Sequence, residues 1–206
     1  INSVFAGWLC MTEYERKQLT LCGLMHDVGK LLISKDILRK PGRLTEEEYE
    51  QIKKHPLLGY EKMKDKNIPE SVKRVILLHH ERADGSGYPF GFHLKEIDPY
   101  AAITAISDVY DAMTSNRVYR HGMNPFDVIE IFEKDGRKQF NPIFLVPILN
   151  NLTNTYLQHY VELSNGMKGK IVLINKSELS RPMIAMDDNQ FIDLLKQRDI
   201  KITQVR

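Results

Sequence analysis

Apolar residues recur at the spacing of an α-helix over most of the first 160 positions of the chain. In the first long stretch, residues 13–34, the side chains of Leu21, Met25, Val28 and Leu32 fall on one helical face. Further helix starts are predicted where a capping residue or a proline precedes an apolar, periodic run. These starts lie at Thr45, at Pro69, and at the dipeptides Asp98-Pro99, Asn124-Pro125 and Asn141-Pro142.

Breaks in this pattern divide the chain. Pro56 is predicted to end or kink the helix that begins after Thr45. Residues 84–89 (DGSGYP) are dense in turn formers and predict a loop. After about residue 160, the short segments 169–174 and 182–186 are β-prone and are separated by clusters of Gly, Asn, Asp and Ser. The pattern predicts a mainly α fold, with a helical bundle in residues 1–160 and a small, partly β extension in residues 161–206.

Charge and hydropathy narrow the range of partners. The 206 residues carry a net charge of +2, which predicts no broad basic surface for duplex nucleic acid. We find no window of about 18 uninterrupted apolar residues and no signal-peptide pattern, so we expect a cytoplasmic protein without a membrane span. The chain starts at Ile1 rather than Met, and we therefore expect an upstream part.

Histidines and aspartates stand where an apolar helix would otherwise exclude them. His26-Asp27 is predicted to lie inside the helix of residues 13–34, His79-His80 follows an apolar run, and Asp108 lies within another. Buried polar groups of this kind cost free energy unless something satisfies them. Imidazole nitrogens and carboxylate oxygens together suit divalent first-row metals.

Each residue alone has a simpler explanation. A buried histidine is more often a hydrogen-bonded core residue than a metal ligand, and His55 before a proline suits a helix end. His79-His80 alone fits one core and one surface histidine, and Asp108 alone fits a cap or a partner of an arginine. Their joint occurrence in one small chain, together with Lys30 and the Gly-rich loop, favours a shared metal site.

These residues also occur in an order that resembles a known family. The segments that carry the resemblance are HDVGK at 26–30, KHP at 54–56, HHE at 79–81, DGSGYP at 84–89 and ISDVYDAMTS at 106–115. Together they closely resemble the HD-GYP branch of the HD-domain phosphohydrolases, over about residues 10–150. The resemblance implies that the helical bundle is an HD domain.

The resemblance implies a role for each matching residue. His26, Asp27 and Asp108 would hold one metal, and a second would be held by His55, His79 and His80, with Asp27 bridging the two. Lys30 would face the scissile phosphate and act with Asp27 as the catalytic pair.

The substrate-binding residues are also implied. Tyr88, in the loop formed by Gly87, Tyr88 and Pro89, would position the substrate or a protein partner. Asp111, one helical turn after Asp108, would orient a ligand or a water. Arg117 and Arg120, three residues apart on a predicted helix, would clamp phosphates or guanines.

The activity implied by the family is hydrolysis of cyclic di-GMP, or a related cyclic dinucleotide, to the linear dinucleotide pGpG or on to GMP. The resemblance implies two or three divalent ions, iron or manganese, with zinc and nickel as alternatives, and a metal-bridged hydroxide as nucleophile. A further family histidine ligand is expected upstream of Ile1, so the number of ions stays open.

Other functions remain open at this point. A module that senses cyclic dinucleotides, or docks a protein partner through the Gly-Tyr-Pro loop without turnover, would not need a complete ligand set. An HD-type hydrolase of nucleoside triphosphates or (p)ppGpp would lack the second histidine pair with its Gly-Tyr-Pro loop. We also regard a homodimer as an open expectation.

Overall fold

A computed structural model describes residues 1–116, 121–188 and 190–206. The described chain divides into two compact units. The first consists of Ile1–Asp111 and Lys138–Leu145, and the second of Ala112–Arg137 and Val146–Arg206. The boundary that the sequence suggests, between residues 160 and 161, stays a prediction.

Helices account for most of the regular structure from the N-terminus to Thr155. The α-helices there are α1 (Asn2–Trp8), α2 (Glu13–Met25), α3 (Lys35–Leu38), α4 (Glu46–Ile52), α5 (His55–Met63), α6 (Glu70–Leu78), α7 (Pro99–Thr114), α8 (Pro125–Ile131), α9 (Arg137–Gln139) and α10 (Pro142–Thr155). A 3-10 turn at Val28–Leu32 follows α2, and a π-helical turn at Phe132–Gly136 follows α8. The prediction of a mainly helical fold is confirmed.

Side-chain caps explain why several helices begin where the sequence predicts. The Thr45 hydroxyl accepts a hydrogen bond from the Glu48 amide at 3.3 Å, and the Glu48 carboxylate accepts one from the Thr45 amide at 2.8 Å. This reciprocal capping box satisfies two otherwise unpaired helix donors. Asp98 and Asn124 cap α7 and α8 in a similar way, through the amides two residues on.

Two predicted helix limits are wrong. The helix predicted for residues 13–34 ends at Met25, and the chain turns at His26 and Asp27 into the 3-10 segment. The apolar spacing was misleading because Leu32, the last residue of the predicted apolar face, is 50% exposed and is not a core residue. Pro56 does not end a helix either: it is the second residue of α5, where its missing amide hydrogen costs nothing.

Asn2 links three helices of the first unit around its core. Its side-chain amide nitrogen donates to the Leu19 carbonyl at 3.0 Å and to the Thr104 hydroxyl at 3.1 Å. Ser107 donates to the Asn2 side-chain oxygen. These bonds connect α1, α2 and α7. They fix the position of α7, the helix that carries Asp108, along its axis relative to α1 and α2.

The C-terminal part of the second unit is an antiparallel sheet. Within the described residues it has five strands, in the order β4-β3-β2-β1-β5. Their bounds are β1 (Tyr160–Leu163), β2 (Lys168–Leu173), β3 (Met183–Met186), β4 (Phe191–Asp193) and β5 (Ile202–Val205). Strands β2 and β3 confirm the two predicted β segments, whereas β1, β4 and β5 were not predicted.

The side chain of Glu133 holds the loop between β2 and β3. Its carboxylate accepts hydrogen bonds from the amides of Leu179 and Ser180, at 2.6 and 3.1 Å, and from the Ser180 hydroxyl. Next to them Arg181, only 6% exposed, donates to the Ile200 carbonyl at 2.7 Å.

In the described part of the chain no helix is both long and apolar enough to cross a membrane.

Candidate metal centre

Helix ends position the four predicted ligand histidines. His26 follows the last residue of α2, His55 is the first residue of α5, and His79 and His80 follow α6. Packing of α6 against α2 and α5, and of α5 against the 3-10 turn, brings these ends together. His55 and His79 are fully buried.

The proton positions on three of the imidazoles follow from their backbone neighbours. The Nδ1 atom faces a main-chain carbonyl oxygen of the preceding turn at 2.9 Å in His26, 2.8 Å in His55 and 3.0 Å in His79. Because a carbonyl oxygen only accepts, each Nδ1 carries a hydrogen and donates it. Whenever such a ring is neutral, its Nε2 is left with a lone pair, as in a metal-bound histidine.

These lone pairs converge on the carboxylate of Asp27. Its Oδ1 lies 3.3 Å from Nε2 of His55 and 3.6 Å from Nε2 of His79, and its Oδ2 lies 3.4 Å from Nε2 of His26. On the other side, Nε2 of His26 is 3.6 Å from Oδ1 of Asp108. Acceptors that face acceptors repel one another unless a proton or a cation lies between them.

The pKa values reflect the same demand for positive charge. Burial by itself lowers the pKa of His26, but Asp108 and Asp27 outweigh it and raise that pKa to about 10. Burial works to raise the pKa of Asp27, yet contacts with the imidazoles, His26 first, hold it below its usual range. Burial lowers the pKa of His79 and of His80, so both rings are neutral.

The donor set fits divalent metal ions. Two buried side-chain atoms, Asp27 Oδ1 and His80 Nε2, make no hydrogen bond within the described residues. The ligand atoms fall into two groups, each within 4.8 Å: Asp27, His55, His79 and His80; and His26, Asp27 and Asp108. A divalent cation in each group would satisfy both orphaned atoms, and Asp27 belongs to both groups.

Lys30 lies beside the shared ligand. It belongs to the 3-10 turn, and its ammonium donates to Oδ2 of Asp27 at 2.6 Å. Asp111 is exposed one turn beyond Asp108 on α7, and neither donor group includes it. Arg117 and Arg120 lie outside the described residues.

The Gly-Tyr-Pro loop packs against the ligand His80. The Tyr88 ring stacks on the His80 ring, with centroids 4.6 Å apart and an interplanar angle of 22°. The Tyr88 amide donates to the His80 carbonyl at 3.2 Å. At Gly87 a β-carbon would lie 2.4 Å from the Arg82 nitrogen, so only glycine fits there. Burial raises the pKa of Tyr88, which keeps the phenol protonated and able to donate.

Sequence reasoning assigned no role to Glu81, which holds this loop. Glu81 is only 1% exposed, and its two carboxylate oxygens accept from the amides of Phe90 and Phe92 at 2.8 and 3.0 Å. A buried carboxylate must be paired or hydrogen-bonded. The sequence offered one indication of this role. Glu81 stands between an apolar helix and a turn-rich loop, and the main-chain amides of such a loop have no partners in a helix or sheet.

A helical unit with two adjacent His and Asp donor groups that share a carboxylate is typical of metal-dependent hydrolases. The family model described as HD domain matches residues 4–143. The chain therefore belongs to the HD-domain family, and its His79-His80 pair with the Gly-Tyr-Pro loop resembles the HD-GYP branch of that family.

Curated relatives carry related names. A cyclic di-GMP phosphodiesterase of Pseudomonas aeruginosa is 42% identical over 114 residues, which cover 55% of this chain and 28% of the relative. A cyclic di-GMP phosphodiesterase of Borreliella burgdorferi is 31% identical over 194 residues, covering 93% and 51%. A 3'3'-cGAMP-specific phosphodiesterase of Vibrio cholerae is 38% identical over 152 residues, covering 72% and 34%.

A solved structure shares the fold. An HDG"Y"P protein of Bdellovibrio bacteriovorus superimposes with a TM-score of 0.58 at 24% identity, over 72% of this chain and 47% of that one. The chain therefore has an HD-type fold. It spans between about a quarter and about a half of the length of the curated relatives described above.

Proposed function

We propose that this chain is the catalytic domain of a metal-dependent phosphodiesterase that hydrolyses cyclic di-GMP to pGpG, to GMP, or to both. The observation that supports it most is the sharing of Asp27 between the two donor groups. A single carboxylate that serves two adjacent cation sites suits an in-line attack on a phosphodiester. The names of the relatives support the substrate class.

In this proposal His26, Asp27 and Asp108 hold one ion and His55, His79 and His80, with Asp27, hold the second. Iron and manganese suit this set of ligands, and zinc and nickel are alternatives. When bound, the ions supply an activated water and stabilise charge on the phosphoryl oxygens.

The chain's own residues supply positioning and a fixed positive charge. Lys30 is held at 2.6 Å from Asp27, so its ammonium stands next to the shared ligand and can neutralise a phosphate oxygen. Tyr88 offers a protonated phenol beside His80 for a hydrogen bond to the substrate. Asp111, Arg117 and Arg120 complete the proposed substrate contacts. Docking of a protein at the loop of Gly87, Tyr88 and Pro89, and homodimerisation, stay predictions.

The first test is turnover by the purified protein loaded separately with iron, manganese, zinc or nickel. We expect linear pGpG from cyclic di-GMP, measured by chromatography, and metal content measured by elemental analysis. Equal turnover of 3'3'-cGAMP would broaden the substrate to cyclic dinucleotides. Metal-loaded protein that binds cyclic di-GMP without linearising it would instead support a sensing module and overturn the proposal.

Lys30→Met separates the phosphate contact from metal binding. We expect kcat to fall by about a hundredfold or more, because a positioned charge on the phosphoryl oxygens is lost. The metal content should stay that of the wild type. Lys35→Met, at an exposed position five residues on, is the matched control and should keep full activity. An unchanged kcat in Lys30→Met would remove Lys30 from the mechanism.

A further inference from the structure

Two aromatic rings and a lysine lie next to the metal centre, and two of these residues, Tyr49 and Lys53, have no part in the functions assigned so far. The ammonium of Lys53 sits 5.8 Å from the ring centroid of Tyr49 and 5.7 Å from that of Tyr88. The Tyr88 ring in turn stacks on the ligand His80. Two aromatic rings and a cation thus continue outward from the second donor group. We call Tyr49, Lys53 and Tyr88 the aromatic platform.

The platform is accessible to a ligand. Tyr49 is 49% exposed, and the Lys53 side chain is 31% exposed. Tyr49 and Lys53 are four residues apart at the end of α4, so both side chains lie on the same helical face. Packing does not require an exposed tyrosine at this position.

Among the described residues, the ammonium group of Lys53 forms only an exposed ion pair. Its ammonium donates to Glu50 at 2.7 Å, three residues earlier, and the Glu50 side chain is 56% exposed. Exposed pairs of this kind contribute little to stability, because water and salt screen them. A ligand that offers better acceptors can therefore take the ammonium without a large cost.

We propose that Tyr49, Lys53 and Tyr88 form a subsite for a purine base, specifically guanine, of the nucleotide bound at the metal centre. This inference rests on the proposed phosphodiesterase function and extends it to base recognition. The Tyr49 ring stacks on the base. Lys53 donates to the guanine O6 and N7 acceptors, a pairing that adenine, with its N6 donor, does not offer.

The chemistry of a cyclic dinucleotide calls for such a site. Its phosphates need cations, and its two bases are flat rings that lose their water on binding. Aromatic side chains next to a cation are the usual platform for unpaired bases, since every base has a π-face. Tyr88, the innermost residue of the aromatic platform, stacks directly on His80. A base bound on the platform is therefore close enough to the donor groups for the phosphate of the same nucleotide to reach them.

Direct binding of mononucleotides tests the subsite without turnover. By calorimetry on metal-loaded protein, we expect wild type to bind GMP more tightly than AMP, and AMP more tightly than ribose 5-phosphate, which has no base. Tyr49→Ala should weaken GMP binding roughly five- to a hundredfold, whereas Tyr49→Phe should keep it, because stacking needs the ring and not the hydroxyl. Ribose 5-phosphate binding should be unchanged in both.

Lys53→Met addresses the choice of base. We expect it to remove most of the preference for GMP over AMP and to leave ribose 5-phosphate binding unchanged. Lys64→Met is its matched control, because Lys64 forms the same kind of exposed pair with Glu61 at 2.6 Å. Tyr14→Ala is the control for Tyr49→Ala, since Tyr14 is 71% exposed on α2.

Kinetics provide a second, independent reading. Tyr49→Ala should raise KM for cyclic di-GMP and leave kcat within about twofold, while hydrolysis of bis(p-nitrophenyl) phosphate, which carries no base, stays at the wild-type rate. Equal losses on both substrates would indicate a structural role and overturn the subsite.

The two proposals fail in different ways. Protein that binds GMP through Tyr49 but does not linearise cyclic di-GMP would sink the phosphodiesterase function and leave the base subsite standing. Protein that linearises cyclic di-GMP equally well with and without Tyr49 and Lys53, and whose variants bind GMP like the wild type, would sink the subsite alone.

Discussion

The carboxylate of Asp27 is the negative charge that most of the ligand side chains contact. It contacts His26, His55 and His79 and pairs with Lys30. Carboxylates with so many partners are rarely replaceable, because removing one leaves several buried groups without a counter-charge. Asp27 is therefore the residue at which metal binding and catalysis are most tightly coupled.

Asp27→Asn tests this at constant shape. We expect elemental analysis to show a loss of at least half of the bound metal, because both donor groups lose their shared ligand. The rate of cyclic di-GMP hydrolysis should fall by at least about a hundredfold. Asp36→Asn, at an exposed position in the first turn of α3, is the control and should keep metal and rate. A variant that retained full metal content would contradict the shared-ligand geometry.

At this scale the ligands were predictable and their supports were not. The pairs His26-Asp27 and His79-His80 stand out because apolar runs make polar residues conspicuous. Glu81 and Lys53 look like ordinary charged residues in the sequence. Their roles depend on which amides and rings come near them after folding, and periodicity carries no such information.

Among the elements, the 3-10 turn and α5 determine how closely Asp27 approaches His55. They pack so tightly at Gly29 that a β-carbon there would lie 1.9 Å from the His55 carbonyl oxygen. Real β-carbons do not come that close to main-chain atoms, so the two elements would have to separate. Gly29 thus sets the spacing between two ligand-bearing segments.

Gly29→Ala should therefore destabilise the protein and loosen the metal site together. We expect the free energy of unfolding, from urea titration, to fall by at least about 2 kcal/mol, since the clash is with backbone and not with a flexible side chain. Metal affinity should fall in the same variant.

Gly7→Ala provides the comparison for this substitution. Gly7 lies in α1, and a β-carbon there would meet nothing within 4 Å. Alanine favours a helix over glycine by about 0.5–1 kcal/mol, so the stability should be unchanged or slightly higher. If Gly29→Ala behaved like Gly7→Ala, the close approach would not be a feature of the folded protein.

The elements show why helix starts were easier to predict than helix ends and strands. The capping residues Thr45, Asp98 and Asn124 act locally, so their effect is visible in the sequence. The end of α2 at Met25 is imposed by packing of the 3-10 turn against α5, which is not local. Strand β4 has only three residues and depends on pairing with β3, so no window of sequence reveals it.

Across the whole protein, the metal centre opposes folding when no ion is bound. Folding buries His55 and His79 completely and brings imidazole lone pairs within about 3.6 Å of carboxylate oxygens. Unfolded chains do not assemble these donors, so metal bound by the folded state adds its binding free energy to stability. We therefore expect the helix ends that carry the ligands to be stabilised most by a bound ion.

Chelation should lower the thermal stability of the whole protein, and the choice of added metal should matter. At a concentration about 100 times its dissociation constant, a bound ion stabilises by about 2.7 kcal/mol, which for a chain of this length raises Tm by about 5–10 °C. We expect manganese, iron or zinc to restore this shift after chelation, measured by scanning calorimetry. Magnesium should restore much less, because it prefers oxygen ligands and retains its water, whereas this site is rich in imidazole. Equal recovery with magnesium, or no change of Tm on chelation, would argue against a nitrogen-rich metal centre formed by the four histidines.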